Sequence, residues 1–297
     1  MEWLNKIHHG EALKILKEMP SDFVDTMLET NKIYNVDCLD GMKQLDDNSI
    51  DLTVTSPPYN NLRTYQGFSW NYKETAKQLY RVTKKGGVVV WVVGDATVNG
   101  SETGTSFKQA LYFKDIGFRL HDTMIYQKGG SPYPSSPKTG VRYTNVFEYM
   151  FVLSKGKPKT INLIADKENK YAGTTNWGDR MMRQMDGTLK KEKKPIIAEY
   201  GVRYNIWYYK IGKGFHTKDE IAYQHPAIFP EKLAEDHILS WSNKGDLVLD
   251  PFLGSGTTLK MAELNSRNWI GFEISEEYCK IAEERLRPIK CKRLGNI

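Results

Sequence analysis

The chain has 297 residues, a formal net charge of +6 and 40% hydrophobic residues. This length is enough for one large or two small domains with a buried core. No apolar run approaches the roughly 20 residues of a membrane-spanning helix. Cys38, Cys279 and Cys291 are too few and too scattered for a disulfide framework or a zinc site. The composition therefore predicts a metal-free protein of the reducing cytoplasm.

The first 52 residues contain an imperfect repeat. Residues 5–26 resemble residues 31–52, for example at Asn5-Lys6-Ile7 and Asn31-Lys32-Ile33. Each copy has the pattern of a short strand, an acidic turn and a helix. Only the second copy continues into the Pro-Pro motif described next. We therefore interpret residues 1–30 as an N-terminal extension that packs on the core.

A strand is predicted to end in the motif Thr55-Ser56-Pro57-Pro58-Tyr59-Asn60. The preceding residues 50–54 are mostly apolar or β-branched, which favours a strand. The two prolines lack an N–H and hold the chain extended, so the carbonyl groups of this corner should be fixed in direction and free to accept hydrogen bonds. Together with the Ser56 hydroxyl and the Tyr59 ring, they suit a nucleobase amine. An ordinary turn after a strand is the alternative.

The next 80 residues alternate between helical and strand patterns. Lys84-Lys85-Gly86-Gly87 separates the first helix from the strand that follows it. This alternation predicts a doubly wound α/β sheet. The predicted elements are a helix at 71–82, a buried strand at 88–93, a helix at 106–116 and a strand at 123–127.

Residues 155–220 break this alternation and hold nearly all of the basic excess. Fifteen Lys and Arg stand there against eight Asp and Glu, a net charge of +7. Lysines neutralise phosphates and aromatic rings stack on bases, so the region predicts nucleic-acid contact. A solvated charged loop is the alternative, especially at Lys190–Lys194. The interleaved aromatic residues are Tyr171, Trp177, Tyr200, Tyr204, Trp207, Tyr208 and Tyr209.

A glycine motif follows at residues 250–258, Asp-Pro-Phe-Leu-Gly-Ser-Gly-Thr-Thr. Glycines permit a sharp turn and close approach to a ligand, and the free N–H groups of a following helix favour a carboxylate or phosphate. A further strand at 269–272 ends in Glu273, which is placed to accept hydrogen bonds from ribose hydroxyls. No Gly-Lys-Ser/Thr follows, which excludes a P-loop.

Together, the corner Ser56-Pro57-Pro58-Tyr59 and the loop at 250–258 resemble the amino-directed DNA methyltransferases that use S-adenosylmethionine. Their order, corner first and loop last, resembles the β arrangement of that family. The resemblance implies a Rossmann-like, mostly parallel sheet formed by residues 31–154 and 221–297. It also implies that residues 155–220 are an inserted target-recognition region.

The resemblance implies roles for individual residues. The catalytic residues would be Ser56, Pro57, Pro58 and Tyr59. The cofactor-binding residues would be Asp37, Cys38, Phe229, Asp250, Pro251, Phe252, Gly254, Gly256, Thr257, Thr258 and Glu273. The DNA-binding residues would be Lys190, Lys191, Lys193, Lys194 and Arg203. A helix N-cap is the alternative for Asp37, and a turn residue is favoured over a catalytic base for His225.

Two further segments precede the basic region, and the resemblance bears on the second of them. Residues 129–137 are rich in Gly, Pro and Ser and should form a loop, either a lid or a connector. Residues 142–153 are expected to form a pair of strands near the flipped base. Tyr143 and Phe147 are candidates for contact with that base, with core packing favoured for Phe147.

The implied reaction is methyl transfer from S-adenosylmethionine to the exocyclic amine of a base flipped out of double-stranded DNA. Ser at the first corner position is typical of N4-cytosine enzymes and Asp is commoner in N6-adenine enzymes, so N4 of cytosine is favoured and adenine stays open. Methylation of RNA or protein is a lesser alternative, and a DNA-binding protein without catalysis is an alternative from another class. A cognate restriction endonuclease acting separately and a homodimer are also left open.

Overall fold

The computed structural model describes residues 28–58, 70–129, 142–175, 180–192 and 196–294. Several predictions fall outside these ranges and are not tested by the structure. They concern residues 1–27 with the first copy of the repeat, Tyr59, Lys193, Lys194 and all but the first residue of the loop at 129–137.

The strands in chain order are β1 (Lys32–Asn35), β2 (Ile50–Thr55), β3 (Thr83–Val93), β4 (Thr97–Val98), β5 (Ser101–Glu102), β6 (Arg119–Gly129), β7 (Phe147–Ser154), β8 (Lys167–Glu168), β9 (Arg180–Arg183), β10 (Leu189–Glu192), β11 (Tyr200–Gly201), β12 (Ile206–Lys210), β13 (Leu247–Asp250) and β14 (Asn268–Glu273). The helices are α1 (Cys38–Lys43), α2 (Tyr72–Val82), α3 (Thr105–Asp115), α4 (Glu231–Trp241), α5 (Thr257–Leu264) and α6 (Glu276–Leu294). A short 3-10 helix spans Glu220–Gln224. None of the described helices is both long and apolar enough to cross a membrane.

The central sheet has the strand order β1-β14-β13-β2-β3-β7-β6-β12. From β1 to β3 all neighbours are parallel, whereas β7 is antiparallel to both β3 and β6. The side on which successive strands are added changes between β13 and β2: β14 lies beside β13 on one side of this point, and β3 lies beside β2 on the other. Ligands of open α/β sheets bind outside the carboxyl ends of the strands at such a point. The predicted doubly wound, mostly parallel sheet is confirmed.

Helices cover both faces of the sheet because its central strands are apolar on both faces. In β3, every side chain of Val88–Val93 is buried. The even-numbered side chains of that run pack with α4, α5 and α6, and the odd-numbered ones with α1, α2 and α3. A continuous apolar run is typical of a parallel strand buried on both faces. The buried strand that the sequence predicts at 88–93 therefore lies in the middle of the sheet.

Local capping explains where α2 begins. The Asn71 side chain accepts hydrogen bonds from the backbone N–H groups of Lys73 (3.1 Å) and Glu74 (3.3 Å). The buried residues of the helix include Ala76 and Leu79, three positions apart on the face toward the sheet. The sequence prediction of a helix at 71–82 therefore differs from the structure only at its capping residue.

The expected strand pair at residues 142–153 is wrong. Only β7 forms there, and residues 142–146 are not part of a strand. Both edges of β7 are already hydrogen-bonded, one to β3 and one to β6. A second strand therefore has no place beside β7.

The basic region at 155–220 contributes to two different structures. β8 pairs with β11, β9 pairs with β10, and a bridge joins Thr175 to Ile196, so the chain runs out and back as an antiparallel arm. β12, from the same region, joins the edge of the central sheet beside β6. Its alternate residues Trp207 and Tyr209 are buried in the core. The expectation that these two rings stack on bases is therefore wrong, because successive strand residues point to opposite faces.

Candidate active site

The Pro-Pro corner and the glycine loop meet at the carboxyl edge of the sheet, where the strand order reverses. Thr55, the last residue of β2, donates its hydroxyl hydrogen to Asp250 Oδ1 at 2.7 Å. Thr258, at the start of α5, donates to the carbonyl oxygen of Val54 at 3.0 Å. Both hydrogen bonds are buried. Two motifs that lie almost 200 residues apart in sequence are thus joined directly.

Asp250 is a buried acid at the centre of this edge, 2% exposed. Burial raises the pKa of its carboxyl group to about 6, against the opposing hydrogen bonds from Thr55 and the Phe252 N–H. The Phe252 nitrogen lies 3.1 Å from Asp250 Oδ1. Acids whose pKa is raised by burial are found preferentially at functional sites.

The glycine loop is held against Glu273 at the end of β14. The carboxylate accepts hydrogen bonds from the backbone N–H groups of Gly254 (2.8 Å) and Ser275 (2.9 Å). Burial raises the pKa of Glu273. Gly254 has φ +52°, and a Cβ there would lie 2.9 Å from His225 Nε2. Gly256 has φ +79°, so neither position accepts another residue without strain.

Behind the loop lies a cluster of charged groups centred on Arg285 of α6. The Arg285 side chain is fully buried, and its Nη1 donates to the Ser255 carbonyl oxygen at 2.5 Å. Its other nitrogens bind Asp219 (2.9 Å) and Glu231 (2.6 Å). Lys260 binds the same two carboxylates, each at 2.7 Å. The cluster fixes the loop to α4, α5, α6 and the segment before the 3-10 helix.

Sequence analysis missed Arg285. It is a charged residue between Ala282 and Leu286, on the buried face of a helix. A charge in that position indicates a buried partner, because unpaired buried charges are costly. The pattern alone does not identify the partner.

The Pro-Pro corner differs from prediction in one respect. Pro57 is buried, while Ser56 and Pro58 are partly exposed. The indole N–H of Trp70 donates to the Pro58 carbonyl oxygen at 3.1 Å. The prediction that the carbonyls of the corner are free to accept is therefore wrong for Pro58. The Trp70 ring also packs edge-on against Phe252, with 5.2 Å between ring centroids, and so connects corner and loop.

Asp37 and Cys38 lie at the end of β1, the strand next to β14. Asp37 Oδ1 accepts from the Leu39 N–H at 2.8 Å, which makes Asp37 the N-cap of α1. Burial raises the pKa of the Cys38 thiol to about 12, so this thiol stays protonated. The Val36 N–H donates to the Glu273 carbonyl oxygen at 3.0 Å and places Asp37 near the end of β14. In the described part of the chain, no three His, Cys, Asp or Glu side chains are grouped to hold a metal ion.

His225 and Phe229 lie before α4 on the other side of the loop. His225 Nδ1 is 3.2 Å from the Ala227 nitrogen, which donates to it, and the ring packs edge-on against Tyr278. Phe229 is half-buried against the core. The position of His225 in a turn agrees with its interpretation as a turn residue.

A small pocket lies beside the end of β3. Its acid Asp95 accepts hydrogen bonds from Thr103, Thr105 and Ser106. Burial would raise the pKa of Asp95, but these hydrogen bonds outweigh burial and lower it. Phe147 lines the pocket and is 37% exposed, so the expectation of core packing for Phe147 is wrong. The pocket is lined by Gly94, Asp95, Glu102, Asn145, Phe147, Glu148 and Tyr149.

The predicted DNA-binding residues fall into two groups. Lys190 and Lys191 are exposed on β10. Arg203 instead forms ion pairs with Asp166 and with Asp236 of α4, the second at 2.7 Å. The hydrogen bonds with Asp166, and then the ion pair with Asp236, raise the pKa of the Arg203 guanidinium above its usual value. These contacts give Arg203 an anchoring role at the root of the arm, and its contact with DNA stays a prediction.

Comparison with known proteins identifies the family. A family model described as DNA methylase, of the N6/N4 type, matches residues 50–284. The orphan methyltransferase M.BamHII of Bacillus amyloliquefaciens is 61% identical over 246 residues, which cover 82% of this chain and 91% of the relative. The type II methyltransferase M.BglII of Bacillus subtilis is 29% identical over 297 residues, covering 95% and 76%.

Two solved structures share the fold. The PvuII DNA methyltransferase (cytosine-N4-specific) has a TM-score of 0.63 and 21% identity, covering 89% of this chain and 91% of the other. The complex of M1.HpyAVI with SAM has a TM-score of 0.54 and 23% identity, covering 86% and 99%. With the family match and the 61% identity to M.BamHII, the conclusion is that this chain belongs to the N6/N4 family of DNA methyltransferases.

Proposed function

We propose that the protein transfers a methyl group from S-adenosylmethionine to N4 of a cytosine flipped out of double-stranded DNA. The observation that carries the choice of base is Ser56, which follows β2 directly at the reversal of strand order. Ser at this position resembles the N4-cytosine members of the family. Residues 155–220 are proposed as the target-recognition region.

The residues at the carboxyl edge fit the proposed cofactor. S-adenosylmethionine, when bound, supplies a methyl group on a positively charged sulfur. Gly254 and Gly256 have positive φ angles, which let the loop turn sharply after β13 and pack closely against His225 and Ala282. Glu273, oriented by two backbone N–H groups, is proposed to accept hydrogen bonds from the ribose hydroxyls. The carboxylates of Glu273 and Asp250 would attract the positively charged cofactor.

The corner is proposed to activate the amine. An exocyclic base amine is a weak nucleophile because its lone pair is delocalised into the ring. Hydrogen bonds from its two hydrogens to the Ser56 hydroxyl and the Pro57 carbonyl would favour a pyramidal nitrogen. The Ser56 hydroxyl and the Pro57 carbonyl are the proposed acceptors, while the Pro58 carbonyl accepts from the Trp70 indole N–H. Methyl transfer would form a bond from the amine nitrogen to the methyl carbon and break the bond from that carbon to sulfur, which would leave as a neutral thioether. The nitrogen would release a proton to solvent.

Positioning and electrostatics should supply most of the rate. The target base is inaccessible inside the duplex and must be flipped out, at a cost of a few kcal/mol. Stacking on Tyr59 is proposed to offset roughly 1–3 kcal/mol of that cost. Because the corner is fixed to the glycine loop through Thr55, Asp250 and Trp70, amine and methyl group would be brought together on one rigid edge.

The product of the reaction tests this proposal. The protein is incubated with mixed-sequence duplex DNA and S-adenosylmethionine, and the DNA is digested to nucleosides and analysed by mass spectrometry. N4-methylcytosine is the expected product. N6-methyladenine would keep the family and the mechanism but overturn the choice of base. Cofactor binding without any methylated nucleoside would contradict the proposed DNA methylation.

A matched pair of variants assigns the activity to the corner. Ser56→Ala should abolish most product, whereas Ser49→Ala, which alters the turn before the same strand at the opposite edge of the sheet, should not. Equal activity of the two variants would contradict the role proposed for Ser56.

A further inference from the structure

The outer part of the arm is a two-stranded ribbon, formed by β9 and β10. Arg183 is paired with Leu189 nearest the turn, and Arg180 with Glu192 at the other end. Apart from Gln184, all described side chains at positions 181–191 are exposed, on both faces of the ribbon. An isolated two-stranded ribbon is marginally stable in water. A partner that covers one face would therefore stabilise it.

The exposed side chains of the ribbon combine apolar and basic groups. Met185 at the turn is fully exposed, and Leu189 is 61% exposed. Arg183, Lys190 and Lys191 are exposed beside them. Positions 180–192 carry four basic residues and two acidic residues. Negative phosphates complement this surface, whereas a second copy of the same ribbon would bring like charges together.

The root of the arm is fixed to the catalytic core. Arg203 follows the arm and binds Asp166, which precedes it, and Asp236 on α4. The Arg203 N–H also donates to the Ile164 carbonyl oxygen at 2.9 Å. Both chain segments at the root of the arm are therefore held on the core.

We propose that the ribbon β9–β10 lies in the major groove of the substrate duplex and reads the base edges there. Arg183, Lys190 and Lys191 contact bases and phosphates, and Met185 packs against bases. The two strands, of four residues each, lie about 4.8 Å apart. The major groove, about 12 Å wide, admits a two-stranded ribbon, whereas the minor groove, about 6 Å wide, would have to widen to admit one. This inference rests on the proposed function.

The test begins with the sequence that the wild-type protein methylates, read by sequencing DNA modified by the full-length chain. Its affinity is then measured for duplexes of that sequence with altered grooves. Replacing purines by their 7-deaza analogues removes the N7 acceptor from the major groove, and replacing guanine by inosine removes the amino group from the minor groove. We expect the 7-deaza duplexes to bind about tenfold or more weakly, and the inosine duplexes to bind like the unmodified one.

Variants then assign the effect to the ribbon. The triple variant Arg183→Ala, Lys190→Ala, Lys191→Ala should weaken binding of the unmodified duplex by about tenfold or more and lose the 7-deaza effect. The slope of affinity against salt should fall by about 0.9 for each phosphate contact removed. The matched control is Lys114→Ala, Arg119→Ala, Lys244→Ala. It removes the same charge from exposed residues near the amino ends of the sheet strands, away from the proposed active site.

Each outcome decides for or against the ribbon. If the ribbon variant kept the affinity, the methylated sequence and the 7-deaza effect, the inference would be wrong while the proposed function stood. An inosine effect in place of the 7-deaza effect would move the contact to the minor groove and also overturn it. Altered self-association with unchanged DNA affinity would identify a second copy of the chain as the occupant. If the wild type methylated nothing, the proposed function would fail, and binding of mixed-sequence duplex would still test the ribbon.

Discussion

The carboxyl edge of the sheet proposed to bind the cofactor, here called the cofactor edge (residues 54–58, 250–258 and 273), and the ribbon use charged residues in opposite ways. At the cofactor edge, Arg285 is buried and paired with Asp219 and Glu231, which fixes the glycine loop. On the ribbon, Arg183 and Lys190 are exposed beside apolar side chains. A buried charge must find its partner within the fold, whereas an exposed charge is available to a ligand. The comparison indicates that the cofactor edge is formed by the chain itself and that the ribbon is completed by DNA.

The largest expected effect concerns the buried cluster. Arg285→Met leaves the carboxylates of Asp219 and Glu231 without their central partner and should lower the free energy of unfolding by about 3 kcal/mol. This value is at the low end of the range for breaking a buried ion pair, because Lys260 still contacts both carboxylates. Urea denaturation measures it. The control Arg287→Met alters an exposed residue of the same helix and should change stability by less than about 0.5 kcal/mol. Similar effects of both changes would mean that the cluster does not stabilise the loop.

The cluster also predicts a kinetic effect. Because Arg285 contacts the Ser255 carbonyl oxygen and hydroxyl, its loss should raise the KM for the cofactor more than it lowers kcat. Arg285→Lys keeps the charge and should restore part of the cofactor KM. A change in kcat alone would contradict a positioning role for Arg285.

The second effect concerns catalysis without stability. Ser56→Ala should lower kcat by roughly 10²–10³-fold, by analogy with the loss of one hydrogen-bonding group at a reacting centre. The free energy of unfolding should change by less than about 1 kcal/mol, because Ser56 is partly exposed. Steady-state kinetics and urea denaturation measure the two. A large loss of stability would show that Ser56 belongs to the structural part of the edge.

The third effect is a pH dependence at Asp250. Its pKa is raised from 3.8 to about 6 in the folded protein. Between these pH values the carboxyl group is therefore protonated in the folded state and ionised in the unfolded state. The resulting loss of stability begins as pH rises above the unfolded value and is complete above about pH 6. Asp250→Asn should therefore gain stability relative to wild type as pH rises from 4 to 8, by at most about 3 kcal/mol. Equal pH profiles of the two proteins would contradict the raised pKa.

A rise in pH should lower stability through Asp250 but should strengthen cofactor binding. A positively charged cofactor binds better beside an ionised carboxylate, so its affinity for the wild type should increase as pH rises through about 6. Asp250→Asn should lack this increase. Calorimetry from pH 5 to 8 measures it, and the same increase in Asp250→Asn would assign the dependence to another group.

The smallest expected effect on stability is at the ribbon turn. Met185→Ser replaces a fully exposed side chain and should change the free energy of unfolding by less than about 0.5 kcal/mol. Affinity for the methylated sequence should fall several-fold because the apolar contact with bases is lost. Thermal denaturation and fluorescence anisotropy measure the two. Unchanged affinity would exclude Met185 from the DNA contact.

Local signals carried most of the sequence prediction. Three patterns each determine structure within a few residues, and the sequence therefore predicts their elements: the apolar run Val88–Val93, the two prolines after β2, and the glycines at 254 and 256. The sequence does not predict partners that are distant along the chain. Nothing in the local pattern shows that Arg285 binds Asp219, 66 residues away, or that Trp70 donates to Pro58.

Charge and aromatic content were the least specific signals. Arg203 and Lys190 contribute equally to the basic excess of residues 155–220, yet one is paired at the root of the arm and the other is exposed. Trp207 and Tyr208 are neighbours in β12, yet one is buried and the other exposed. Only the position of a strand in the sheet decides which of its faces is buried.

The central claim is that the cofactor edge is preformed and that the ribbon is completed by DNA. Amide hydrogen exchange tests it on the protein alone, with S-adenosylhomocysteine, and with duplex of the methylated sequence. The donating amides of Phe252, Gly254 and Ser275 should exchange slowly in all three states. Amides of β9 and β10 should exchange rapidly until duplex is added. A ribbon protected without DNA, or loop amides that become protected only with ligand, would contradict the claim.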